Sequence, residues 1–152
     1  MLWFSMLYTQ AQLRSAVGLG PEAIRHWRKV LPRLAAKRGR TSQFSFGDLL
    51  ALAVIRELTE CLGISVGRLG SASESLFELC NGAPSHGLER CSIIFDGNSF
   101  SARREPQQFI QGEAAIIVPI RSILLKLRED LVANQIVDAQ ATFLFPPTAI
   151  GG

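Results

Sequence analysis

The chain has no apolar run near the roughly 20 residues that a membrane-spanning helix needs. Its longest such runs, residues 49–55 and 114–120, fall far short. The opening Leu2-Trp3-Phe4-Ser5-Met6-Leu7-Tyr8 is apolar, but it lacks the basic start and small-residue cleavage site of a secretory signal, so a cytoplasmic protein is expected. Cysteine is scarce: Cys61, Cys80 and Cys91 are odd in number and form no C-x-x-C pair. That argues against a disulfide framework and a zinc knuckle, and it predicts reduced, mostly buried thiols. His26 and His86 are the only histidines, and neither sits in a metal-ligand or catalytic pattern. There is no G-x-S-x-G elbow and no glycine-rich phosphate loop. An enzyme is therefore not expected, nor is a metal or a cofactor.

What the chain does have is core-forming material and an uneven distribution of charge. Hydrophobic residues make up 47% of it and charged residues 19%, a balance that suits a globular fold. Residues 1–70 carry ten Lys or Arg against four Asp or Glu, whereas residues 71–152 carry six against nine. Between Arg14 and Arg40 eight cations are offset only by Glu22. Such a field attracts a polyanion, and by itself it serves DNA, RNA or an acidic partner equally.

The basic half reads as short helices with clear boundaries. Thr9-Gln10-Ala11-Gln12 is a capping box opening a helix over about 10–17, and Gly18-Leu19-Gly20 ends it. Pro21 suits the first position of a second helix, which runs to about Leu31. In that helix Ile24, Trp27 and Leu31 share one face, leaving Glu22, Arg25, His26 and Lys29 opposite and Arg28 at the border. Two short helices joined by three residues, the second with its cations outward, form a helix-turn-helix pattern. Pro32 stops the second helix, and residues 33–44 read as a loop or β-wing with its tip at Lys37-Arg38-Gly39-Arg40-Thr41-Ser42. Ser45 and Asp48 then mark the start of a helix over about 46–62 whose stretch 49–55 is apolar all round, so it must pack on more than one side. Gly63 fits its end, and Ser65 can cap a further helix reaching about Leu79.

The second half changes period. After a loop over about 81–87, Ile93 to Ala102 reads as a hairpin turning at Gly97-Asn98, with Phe95 opposite Phe100 and Ile93 opposite Ala102. Residues 114–118 read as a third strand, and Pro119 begins a helix with the stripe Ile120, Ile123, Leu124, Leu127 and Leu131. Phe143-Leu144-Phe145 reads as an edge strand ending at Pro146. The expected fold class is α+β: a mostly helical N-terminal winged helix-turn-helix over residues 1–70, then a small β-hairpin, strand and helix module over residues 71–152 serving dimerisation or partner binding.

Tyr8-Thr9-Gln10-Ala11-Gln12-Leu13, Gly18 to Arg28, Phe44-Ser45-Phe46-Gly47-Asp48-Leu49 and Leu62-Gly63-Ile64-Ser65-Val66 together resemble the MerR winged-helix family over roughly residues 8–70. The wing string Gly-Tyr-Arg-x-Tyr common in that family is replaced here by Arg40-Thr41-Ser42-Gln43-Phe44. In place of the family's long antiparallel dimerisation helix, residues 71–152 predict strands and one short helix.

The resemblance implies a transcription regulator that binds double-stranded DNA. Because a single reader of this size buries a modest surface, useful specificity calls for two copies on a two-fold site, so a homodimer is expected. Arg25 and His26 would lie on the recognition helix in the major groove, with Arg28 and Lys29 beside them. Lys37, Arg38, Arg40 and Thr41 would lie on the wing near flanking phosphates, and the helix start at Thr9 and Gln10 would hold another phosphate. Two alternatives stand beside this reading. One is a protein-interaction subunit, such as an antitoxin or a phage or plasmid accessory factor; the other is an excision factor that bends DNA.

Overall fold

The computed structural model describes residues 6–37, 43–82, 85–104 and 114–144. Strand β1 (Leu7–Tyr8) leads into α1 (Gln10–Val17) through a complete capping box, with the Thr9 hydroxyl accepting from the Gln12 amide and the Gln12 side chain accepting from the Thr9 amide. Gly18 ends α1 in the left-handed region at φ 78°, a conformation that costs a side chain energy and glycine little. Helix α2 (Pro21–Val30) follows with Pro21 in its first turn.

Residues 32–36 correct the loop expected there. They form α3 (Pro32–Ala36), capped by Leu31, with Leu34 buried. Proline lacks the N–H that would continue α2, yet the same lack costs nothing at the first turn of the next helix. Strand β2 (Phe44–Ser45) pairs antiparallel with β1, Tyr8 opposite Phe44, an element that the composition of the opening segment does not reveal. Ser45 then starts α4 (Phe46–Leu62) through a second capping box with Asp48, and Gly63 ends it at φ 67°.

The helix expected to reach Leu79 is two helices, α5 (Val66–Leu69) and α6 (Ser73–Gly82). Ser65 precedes α5 without a side-chain cap bond. The chain bends between the two helices, where Gly70 lies so close to the Val30 carbonyl that an added Cβ would sit 2.7 Å from its oxygen. Part of the expected loop over 81–87 is also helical, as the end of α6 and as α7 (Ser85–Leu88).

Strands β3 (Cys91–Phe95), β4 (Phe100–Arg104) and β5 (Ile116–Pro119) form an antiparallel sheet in the order β4-β3-β5. The hairpin has the expected register, with Phe95 opposite Phe100 and Ile93 opposite Ala102, and the two Phe rings stack with centroids 4.7 Å apart. Helix α8 (Ile120–Leu144) is 25 residues long, not short, and it takes in Phe143 and Leu144, which were expected in an edge strand. The apolar stripe that marks its first part stops at Leu131, but no glycine or proline occurs between Ile120 and Phe145 to end the helix.

One hydrophobic core joins the two halves. Helix α4 packs on α1, α6 and α8, and its residues from Phe46 to Leu52 are all buried. The second covering surface demanded by its apolar circumference is thus supplied by α6 and α8 of the same chain. Ile120, Leu124, Leu127 and Leu131 are buried as the stripe predicts. Cys80 is buried and Cys91 half-buried, but Cys61 is exposed near the end of α4, contrary to the expectation of mostly buried thiols. No helix among the described residues is long and apolar enough to cross a membrane.

Candidate nucleic-acid interface

Helices α1 and α2 are joined by Gly18-Leu19-Gly20, and the turn is held from both sides. Arg14 accepts the Gly18 and Leu19 amides on its carbonyl, and Arg56 of α4 donates from Nη1 to the Val17 carbonyl at 2.6 Å. Across the helix pair, Arg28 donates from Nη2 to Gln10 Oε1 at 2.5 Å. These bonds fix the angle at which α2 is presented.

The inward face of α2 buries Ile24 and Trp27, with Leu31 at its end, and the opposite face exposes Arg25, His26 and Lys29. Arg25 comes within 4.0 Å of Glu22, with their side chains 74% and 92% exposed. A pair that open to water holds the guanidinium weakly, so Arg25 can exchange Glu22 for another acceptor. Arg28 is half-buried, and its bond to Gln10 uses one of five guanidinium donors. Thr9 spends its hydroxyl on the cap, while Thr9 and Gln10 stand half-buried at the start of α1.

Around the start of α4 the structure gathers a polar cluster invisible to local pattern. Asp48 is 2% exposed and lies 3.6 Å from Arg33 Nε and 2.6 Å from Lys37 Nζ. It also accepts from the Ser45 amide and from Asn81 Nδ2 of α6. Burial pushes the carboxyl upward, but the hydrogen bonds from Lys37, Asn81 and Ser45 outweigh it and hold Asp48 below the usual carboxylate range. Gly47 permits the close approach of α6, since a Cβ there would meet Asn81 Oδ1 at 2.4 Å. Lys37 donates also to the Gln43 carbonyl at 2.7 Å, which ties together the two ends of segment 38–42.

Lys37, expected at the wing tip as a DNA contact, therefore stands at the base of that segment with its ammonium on Asp48 and Gln43. Arg38, Arg40 and Thr41 lie outside the described residues. Sequence reasoning identified Asp48 as a helix-capping acid and missed its pairing with Arg33, Lys37 and Asn81. The run of cations from Arg33 to Arg40, close before Asp48 in sequence, was the one available signal, and Asn81 gave none.

Residues 8–72 match the family model described as MerR HTH family regulatory protein. This segment is a MerR-type helix-turn-helix domain. The match supports a DNA-binding transcription regulator in general. No curated protein matches the chain significantly. The MerR-type domain spans β1 to the bend between α5 and α6, and the chain continues from there into the hairpin, β5 and α8. Among the described residues of the domain and its extension, no group of three or more His, Cys, Asp or Glu side chains is placed to hold a metal ion.

Proposed function

We propose that the chain is a sequence-specific, non-enzymatic transcription regulator that binds double-stranded DNA as a homodimer, with α2 as recognition helix and segment 38–42 as wing. The supporting observation is the division of α2, where Arg25, His26 and Lys29 are exposed while Ile24 and Trp27 are buried in the core. In this reading Arg25 and His26 meet base edges in the major groove, and Arg28 and Lys29 flank them. Arg38, Arg40 and Thr41 reach neighbouring phosphates, and the first-turn amides of α1 beside Thr9 and Gln10 hold another. Lys37 serves from below, by holding the wing base to Asp48. Residues 1–70 carry the DNA-reading face and residues 71–152 the self-association surface, and the protein acts in the cytoplasm on the nucleoid.

The test separates base reading from phosphate attraction. Arg25→Ala is expected to leave folding nearly intact and to cost about 1–3 kcal/mol on the selected duplex, relaxing preference at one position. Arg38→Ala and Arg40→Ala are expected to weaken all duplexes by similar factors, each lowering the log–log salt slope by about one unit from a wild-type magnitude of about 3–7 per protomer. Fluorescence anisotropy on selected and random duplexes reads both. Unchanged affinity in Arg25→Ala together with a flat salt response would remove DNA from this face.

The homodimer has its own measurement. Leu125 and Val132 lie seven residues apart on one face of α8 and are 48% and 41% exposed, an apolar face that a second copy would cover. Light scattering at tens of micromolar is expected to give twice the chain mass, and Leu125→Glu with Val132→Glu to give the single mass. A wild-type monomer at that concentration contradicts the proposal. The rival reading as a protein-interaction subunit drew on the apolar circumference of α4 and on the acidic second half; the first of these supports is weakened, since α1, α6 and α8 of the same chain pack on α4.

A further inference from the structure

A cleft of about 560 Å³ lies between the α4–α5 junction and the end of the sheet, lined by Gly63, Ile64, Ser65 and Arg68 on one side and by the β3–β4 turn and the start of β5 on the other. Its volume falls within the roughly 300–1,000 Å³ typical of small-molecule sites. The room comes from small residues. Gly63, with φ 67°, and Gly97, with φ 98°, have nothing within 4 Å of where a Cβ would stand, and Ala114 and Ala115 continue the opposite wall. Phe95, Ile64 and Ile116 supply apolar surface.

The polar groups of the cleft are unequal in what they can still accept. Arg68 is exposed, and its guanidinium has no hydrogen-bond or ion-pair partner among the described residues. Asp96 is already engaged in its own turn, with Oδ1 accepting from the Asn98 and Ser99 amides at 2.8 Å each and Oδ2 from the Ser99 hydroxyl at 3.3 Å. The guanidinium keeps all its donors for an incoming group, whereas most of the carboxylate's lone-pair sites are filled. A planar fork of free donors beside an apolar surface suits a carboxylate attached to an apolar body, and the fixed negative charge of Asp96 disfavours a second anionic group.

We propose that this cleft binds a small organic monoanion with an apolar body, its carboxylate on Arg68 and its body against Phe95, Ile64 and Ile116. The proposal does not depend on DNA binding, and its test contains no DNA. Three dansyl probes share one apolar fluorophore and differ in charge: dansylglycine is anionic, dansylamide neutral and dansylcadaverine cationic. Titration of the full chain is expected to give saturable one-site fluorescence enhancement with dansylglycine. The other two probes should bind at least about tenfold more weakly, the range of one charge-assisted hydrogen bond. Arg68→Gln is expected to weaken dansylglycine about tenfold or more, and Ala115→Trp to abolish its binding by filling the cleft. Both positions are exposed, so circular dichroism should show the fold retained. Arg121→Gln, at an exposed cation of α8 that does not line the cleft, should bind like the wild type. Cationic preference, indifference to Arg68→Gln, or no saturable binding at millimolar dansylglycine would each overturn the proposal.

Discussion

A chain ended at Gly70 is expected to lose cooperative folding instead of persisting as a small DNA reader. Ten of the 17 residues of α4 are buried, and α6 and α8 provide much of the cover. Removing residues 71–152 takes away Leu76, Phe77, Ile120, Leu124, Leu127 and Leu131 and returns to water the α4 surface they occupy. Each large apolar side chain so exposed forfeits about 1.5–3 kcal/mol, and four of them rival the roughly 5–15 kcal/mol that stabilises an ordinary domain. The loss also strips Asn81 from Asp48 and the Ser15–Asn134 bond from the α1–α8 contact. Urea unfolding followed by circular dichroism should show a broad, low-midpoint transition for the shortened chain. A sharp transition at the full-length midpoint would mean that the MerR-type segment carries its own core.

Asp48→Ala is expected to cost about 3 kcal/mol, the lower end of what breaking a buried ion pair costs, because Arg33 and Lys37 retain 33% and 27% side-chain exposure and water recovers part of their charge. The substitution also removes half of the capping box of α4. The folded carboxyl is held below its ordinary value of 3.8, so its contribution is complete above that value and disappears as the pH falls through the lower, folded one. The wild type should accordingly lose stability, as the pH falls below the ordinary carboxylate value, more steeply than Asp48→Asn, whose amide does not titrate. Parallel acid-unfolding curves for the two proteins would show that Asp48 contributes nothing through its charge. Because Lys37 also bridges to the Gln43 carbonyl, the Ala variant tests whether the wing base depends on this acid.

The elements legible in the sequence are those whose determinants lie close together along the chain. The capping box at Thr9, the N-cap at Ser45, the helix-ending Gly18 and Gly63, the inward stripe of α2 and the Phe95–Phe100 hairpin register all depend on neighbouring side chains and backbone, and all occur as read. The candidate DNA-reading face was legible for the same reason, since the period of α2 alone puts Arg25, His26 and Lys29 opposite Ile24 and Trp27. Tertiary structure decided the rest. It joined β1 to β2 across 36 residues, set Asn81 against Asp48 across 33, and covered α4 with α6 and α8 of its own chain. It also turned Lys37 from an expected outward wing cation into the partner of a buried carboxylate, because a charge removed from water must be paired and Lys37 and Arg33 are the cations within reach. Hydropathy and spacing report which surface must be covered and which charge must be paired. Which distant residue performs the task follows only from how the elements pack.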